Sequence, residues 1–173
     1  MSKLLILCAL EEELPPEHNP YKDITVYTGI GKVNAALHAA QLVYRDPPPD
    51  RIINFGTAGS CHQNVSGLVE CGIFVDRDDT SKFNEEALIT NPHLLRVSTG
   101  DNFLTSVIKE CDVVDMEAYA IAKACHLTGT YFQCFKYITD YTNKNSYTDW
   151  YENVSRGYPL FLEKMNDYFK NPL

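Results

Sequence analysis

Residues Leu4-Leu5-Ile6-Leu7-Cys8-Ala9-Leu10 form an unbroken apolar run. Its length and lack of alternation predict a strand buried on both faces. Pro15, Pro16 and Pro20 mark the loop after it. Ile24 to Tyr27 alternates like a strand and stops at Gly29. From Lys32 to Tyr44 the apolar residues Val33, Ala36, Leu37, Ala40 and Val43 recur at helical spacing, and Pro47-Pro48-Pro49 ends that helix. Arg51 to Phe55 reads as a second buried strand running into the turn Gly56-Thr57-Ala58-Gly59-Ser60.

Further along, Leu68 to Val75 and His93 to Ser98 read as strands. The polar stretch from Asp76 to Asn91 between them reads as a loop with a short helix. Met116 to Leu127 predicts a helix with Asp115 as its N-cap, and Tyr131 to Thr139 a strand. Trp150 to Phe169 predicts an amphipathic helix that Pro159 bends or interrupts. Strands alternating with helices give an α/β layered fold, and the 173 residues suit one domain spanning the chain.

Composition narrows the partners. A formal net charge of −8 repels phosphate backbones, so nucleic acid is not an expected partner. No stretch approaches membrane-spanning length, and Glu11, Glu12 and Glu13 follow the first apolar run too closely for a signal peptide. The six cysteines form no CxxC pair and no zinc-spaced cluster. They read as reduced thiols of a cytoplasmic protein, and no metal or cofactor is expected.

Some familiar motifs fail on inspection. Gly29-Ile30-Gly31-Lys32-Val33-Asn34 lacks the third glycine of a dinucleotide fingerprint and the hydroxyl residue of a P-loop. There is no GxSxG elbow, and His38 and His126 sit on predicted helices as ordinary histidines. The informative pattern is different. Several predicted strands run into small, hydroxyl-bearing or carboxylate-bearing turns: Glu11 to Glu13, Gly56 to Ser60, Ser98 to Phe103, and Thr139-Asp140. In open α/β sheets, ligands bind at the C-terminal ends of strands, so these turns are expected to converge.

The blocks Ala9-Leu10-Glu11-Glu12-Glu13-Leu14, Gly29 to Ala36, Asn54 to Ser60, Ser98 to Phe103, Val114-Asp115-Met116-Glu117-Ala118-Tyr119-Ala120 and Tyr137-Ile138-Thr139-Asp140 occur in that order. Together they resemble the nucleoside phosphorylase and nucleosidase superfamily, and within it the methylthioadenosine/S-adenosylhomocysteine nucleosidases. The resemblance implies a three-layer fold, a central twisted mixed sheet flanked by helices, in a homodimer. It implies hydrolysis of a purine nucleoside at its N-glycosidic bond, with the nucleoside and water as small-molecule partners.

Cleavage of such a bond passes through a sugar with oxocarbenium character. The departing base needs a proton, the cationic sugar needs stabilisation, and water needs activation. By resemblance, Asp140 is the general acid at the base, with a carboxyl raised by its surroundings and oriented by Thr139. Glu117 binds the ribose hydroxyls, and Met116 packs on the sugar beside Asp115. Glu13 activates water, although spacing alone leaves Glu11, Glu12 and Glu13 equivalent candidates. Phe103 stacks on the base, and the backbone of Phe103 and Leu104 reads its edge. Thr57, Ala58 and Gly59 allow close approach of sugar and water. Lys136 stands where the family carries Arg and is expected to hold Glu117.

The phosphorylases of this fold carry a Gly-Asp-Pro and arginine pattern after the first strand. Three carboxylates stand there in this chain, which suits water and repels phosphate. A phosphorylase or a catalytically silent nucleoside-binding protein are the alternatives. The chain departs from the family in two shortened segments, one before Gly29 and one between Asp76 and His93. The second, beginning Arg77-Asp78-Asp79, is where the family builds the pocket for the ribose 5′ substituent. Methylthio, homocysteinyl, a larger group and plain hydroxyl therefore all stay open.

Overall fold

The computed structural model describes residues 3–79 and 87–170. The strands are β1 (Leu4–Cys8), β2 (Thr25–Tyr27), β3 (Arg51–Ser60), β4 (Leu68–Asp76), β5 (Leu88–Ile89), β6 (Leu95–Thr99), β7 (Val113–Asp115) and β8 (Tyr131–Asp140). The helices are α1 (Lys32–Val43), α2 (Ala118–Thr128), α3 (Ser146–Asn153) and α4 (Tyr158–Lys170). The sheet is mixed. β1 pairs in parallel with β2 and β3, and β3 in parallel with β8. β8 then meets β4 antiparallel, β4 meets β6 in parallel, and β6 meets β7 in parallel. β7 returns antiparallel to the end of β3, through Gly59–Val114 and Ser60–Val113. The pairings thus close a ring of β3, β8, β4, β6 and β7, with β1 and β2 extending one side.

Alternation along the central strands sorts side chains into two cores. Leu5, Leu7 and Ile52 pack with Ala35, Ala39 and Val43 of α1 and with Ala118, Ile121 and Cys125 of α2. Leu4, Ile6, Cys8, Ile53 and Phe55 point the other way, onto Phe161 and Met165 of α4. Phe161 stacks on Phe55 with ring centroids 4.2 Å apart and is fully buried. This is the expected three-layer arrangement of helices on both faces of a mixed sheet.

Several local expectations change. The second strand does not stop at Phe55; β3 continues through Ser60, because Gly56 to Gly59 stay paired with Lys136 to Asp140 of β8. The helix expected from Met116 begins at Ala118, and Asp115 ends a short strand instead. The helix expected over residues 150–169 is split at Gly157, and Pro159 falls in the first turn of α4, where a missing N–H costs no helical bond. On α1 the helix is present, but its buried face is Ala35, Ala39 and Val43, leaving Val33 77% and Leu37 55% exposed. Helical period alone does not say which stripe meets the sheet. The loop expected over residues 76–91 contains β5, and its residues 80–86 lie outside the described residues. None of the helices among the described residues is long and apolar enough to cross a membrane.

Candidate active site

The C-terminal ends of β1, β3, β6, β7 and β8 surround one cavity of about 350 Å³. Glu13, Thr57, Ala58, Gly59, Phe103, Leu104, Asp115, Met116, Glu117 and Asp140 line it. Thr139 and Lys136 stand behind that lining, both buried.

Glu13 is separated from its acidic neighbours by a turn rather than by strand alternation. β1 ends at Cys8, and the N–H of Glu13 closes back on the Leu10 carbonyl at 3.2 Å. Glu11 and Glu12 face solvent, while Glu13 is buried. Its Oε1 accepts both the N–H and the hydroxyl of Thr57, each at 2.7 Å. Its Oε2 accepts the Leu10 N–H at 3.1 Å and the Cys8 thiol at 3.5 Å. A carboxylate held by this many donors keeps one orientation.

Asp140 ends β8 and is buried. The Thr139 hydroxyl donates to its Oδ2 at 3.1 Å, and the Thr142 N–H donates to Oδ1 at 3.1 Å. A Cβ at Gly59 would lie 2.8 Å from Asp140 Oδ1, so only glycine lets these two strands approach as they do.

Glu117 precedes α2 and is buried. Its Oε1 accepts the N–H of Gly31 at 2.8 Å. Gly31 has φ 96°, a left-handed conformation that turns this N–H at the start of α1 toward the site. Burial pushes the Glu117 carboxyl up to about 8, and the negative charges of Asp115 and Glu13 add to the effect.

Lys136 does not hold Glu117 by a salt bridge, as the sequence suggested. Its ammonium reaches Asp115 Oδ2 at 2.8 Å. Lys is a point charge and pairs with the nearer carboxylate, whereas a guanidinium has a fork that spans two. Asp115 also accepts the Thr99 hydroxyl at 2.5 Å and the N–H groups of Ala118 and Glu117 at 2.8 and 3.2 Å. It thus caps α2 from the end of β7, although it is not the residue next to the helix. Burial alone would raise its carboxyl, but Lys136 and these donors outweigh burial and hold it below the usual carboxylate range. Burial alone would likewise lower the Lys136 ammonium, but the charge and hydrogen bond of Asp115 hold it above its ordinary value.

Some lining residues escape sequence reasoning. Arg77 donates to the carbonyls of Ser98, Asp115, Gly100 and Asn102, and so braces the turn that carries Phe103. Tyr147 and Trp150 of α3 form an aromatic wall, with Phe103 edge-on to Tyr147 at 6.0 Å and Tyr147 tilted on Trp150 at 6.4 Å. The Trp150 indole N–H donates to Thr57 Oγ1 at 3.0 Å. The polar run Ser146 to Asn153 gives no sign of this, since its contacts with β3 span about ninety residues of chain.

The site thus gathers four buried carboxyl groups, those of Glu13, Asp115, Glu117 and Asp140, with that of Glu117 raised to about 8, around an apolar-walled cavity the size of a small heterocycle with its sugar. No family model matches the chain. The 5′-methylthioadenosine/S-adenosylhomocysteine nucleosidase of Bacillus pumilus is 31% identical over 82% of this chain and 74% of its own length. That of Bacillus velezensis is 27% identical over 83% and 88%. Among solved structures, the Streptococcus pneumoniae MTA/SAH nucleosidase in complex with 8-aminoadenine superposes with a TM-score of 0.83, covering 97% of this chain and 99% of that one at 20% identity. A futalosine hydrolase mutant of Helicobacter pylori superposes with a TM-score of 0.82 at 17% identity, covering 96% and 99%. These structures share the fold, and the sequence likeness to the Bacillus pumilus enzyme is decisive: the chain belongs to the 5′-methylthioadenosine/S-adenosylhomocysteine nucleosidase family.

Proposed function

We propose that this chain hydrolyses the N-glycosidic bond of an adenine-type nucleoside, such as methylthioadenosine or S-adenosylhomocysteine, releasing free base and the ribose moiety. The observation that carries this is the convergence of Glu13, Glu117 and Asp140 on one cavity from three distant segments. Asp140 is the general acid to the departing base, held by Thr139 and Thr142. Phe103 and Leu104 meet the base. Glu117 binds the ribose hydroxyls, whose donated hydrogens favour its ionised form, and the resulting charge stabilises the cationic sugar. Glu13, with Thr57, holds and activates water.

Water is favoured over phosphate by the charges at the cavity. Arg77 spends its guanidinium on four carbonyl oxygens, and Lys136 is paired with Asp115. A phosphate site needs convergent cations or free amides, and those cations are engaged. The protein acts as a homodimer; the exposed Ile30, Val33 and Leu37, on and beside the first turns of α1, support this surface. Its cysteines are all free, which fits the cytoplasm.

The test is a panel of adenosine, methylthioadenosine, S-adenosylhomocysteine, inosine and guanosine, assayed for free base by chromatography, with Asp140→Asn beside the wild type. The variant is expected to lose turnover while binding within about tenfold of wild type, since one lost hydrogen bond is worth about 1 kcal/mol. Unchanged turnover in Asp140→Asn would refute the assigned acid.

A further inference from the structure

Trp150 is the chain's single tryptophan. It belongs to α3, outside the strand ends that supply the carboxylates, yet its indole N–H reaches Thr57 Oγ1 at 3.0 Å. An indole nitrogen only donates, so the Thr57 hydroxyl must accept in this bond. A hydroxyl carries one hydrogen, and its other partner here is Glu13 Oε1 at 2.7 Å. The indole therefore fixes the rotor of Thr57 with its hydrogen aimed at Glu13. Both donors on Oε1 come from Thr57, one from the backbone and one from this hydroxyl. The same indole lines the cavity beside Tyr147.

We propose that Trp150 is a positioning residue for water activation, acting through Thr57 to hold the Glu13 carboxylate in one geometry toward the attacking water. This rests on the role given to Glu13 above. The relay also ties the aromatic wall to the base: a shift of α3 that moves the indole releases the Thr57 hydroxyl and loosens Glu13. A tryptophan serving only as cavity wall needs no bond to Thr57, and phenylalanine would replace it with a change in substrate binding alone.

A double-mutant cycle on kcat and KM for methylthioadenosine separates these cases, using Trp150→Phe, Thr57→Val and the pair. Trp150→Phe is expected to lower kcat by about 5–20-fold while KM changes by less than about threefold. In the Thr57→Val background the same change is expected to cost less than about twofold, because the relay is already broken. A rise in KM with kcat unchanged, or an equal kcat loss in both backgrounds, would overturn the proposal. If Trp150→Phe does not fold, a benzothienyl isostere at position 150 keeps the shape, drops the N–H and carries the same expectations. A wild type that releases no base overturns the underlying reading and this one together. A wild type that turns over with additive losses removes only the role of Trp150.

Discussion

Lys136 Nζ lies 2.8 Å from Asp115 Oδ2, with both side chains shielded from solvent, at 1% and 0% exposure. The carboxylate in turn caps α2 through the N–H groups of Ala118 and Glu117. The pair is thus a support beneath the site: Lys136 acts on Glu117 through Asp115 and the start of the helix. Removing the cation leaves a buried, unpaired carboxylate. Lys136→Met is expected to destabilise the fold by about 3–5 kcal/mol. Thermal unfolding followed by circular dichroism should show a Tm lower by roughly 10 °C. A change of only a degree or two would mean that the pair contributes little.

Glu117 gives a pH signature. Its carboxyl keeps a proton up to about 8 in the folded chain, against 4.5 in the reference state. Between those values the folded state binds more protons than the unfolded state, so this group's contribution to stability falls as pH rises through the window. Glu117→Gln keeps an acceptor for the Gly31 N–H and never ionises. Its Tm should match wild type near pH 5 and exceed it by roughly 5 °C or more at pH 9. Turnover should fall about 10²-fold or more. In the wild type, kcat/KM should climb with pH toward about 8, as the free enzyme's Glu117 ionises. A flat profile from pH 6 to 9 would contradict the role of an ionised Glu117.

Gly59 separates catalysis from stability. An added Cβ meets Asp140 Oδ1 at 2.8 Å, with Thr142 Cγ2 at 3.1 Å and Val114 Cγ2 at 3.2 Å. The carboxyl must shift to admit it. Gly59→Ala is expected to lower kcat about 10²-fold, as displacement of a catalytic group by about 1 Å does. Kinetics on the purified variant, checked for a folded circular dichroism spectrum, reads this directly. Activity near wild type would mean that the position of Asp140 is not critical.

The proposed homodimer uses the apolar stripe that α1 leaves uncovered, Val33 and Leu37 being 77% and 55% exposed. Val33→Glu with Leu37→Glu should shift the mass measured by light scattering from two chains to one. A wild type that is already monomeric at working concentration would refute the homodimer.

The layered fold was legible because burial on both faces leaves a plain mark: Leu4 to Cys8 is apolar at every position and pairs on both sides. The carboxylates proposed for catalysis were singled out only through resemblance, since a turn rather than a strand distinguishes Glu13 from Glu11 and Glu12. Gly56 and Gly59 misled the reading of β3. They look like a turn, but they are small because Glu13, Lys136 and Asp140 approach the strand there. Strand β7 was missed because Val113 to Asp115 is too short to show a period. Val33 and Leu37 belong to the apolar spacing that predicted α1, yet both stay exposed, because spacing defines a stripe without saying what covers it. Trp150 and Tyr147 stayed hidden because their contacts depend on how α3 folds over β3 and β8, which no local pattern encodes.

In the proposed reaction water, not phosphate, takes the sugar. The most direct measurement is mass-spectrometric identification of the sugar product after incubation with methylthioadenosine, in phosphate-free buffer and in phosphate. Adenine and the free 5-methylthio sugar at equal rates in both buffers is the predicted result. Release of adenine only with phosphate, together with a sugar 1-phosphate, would contradict it.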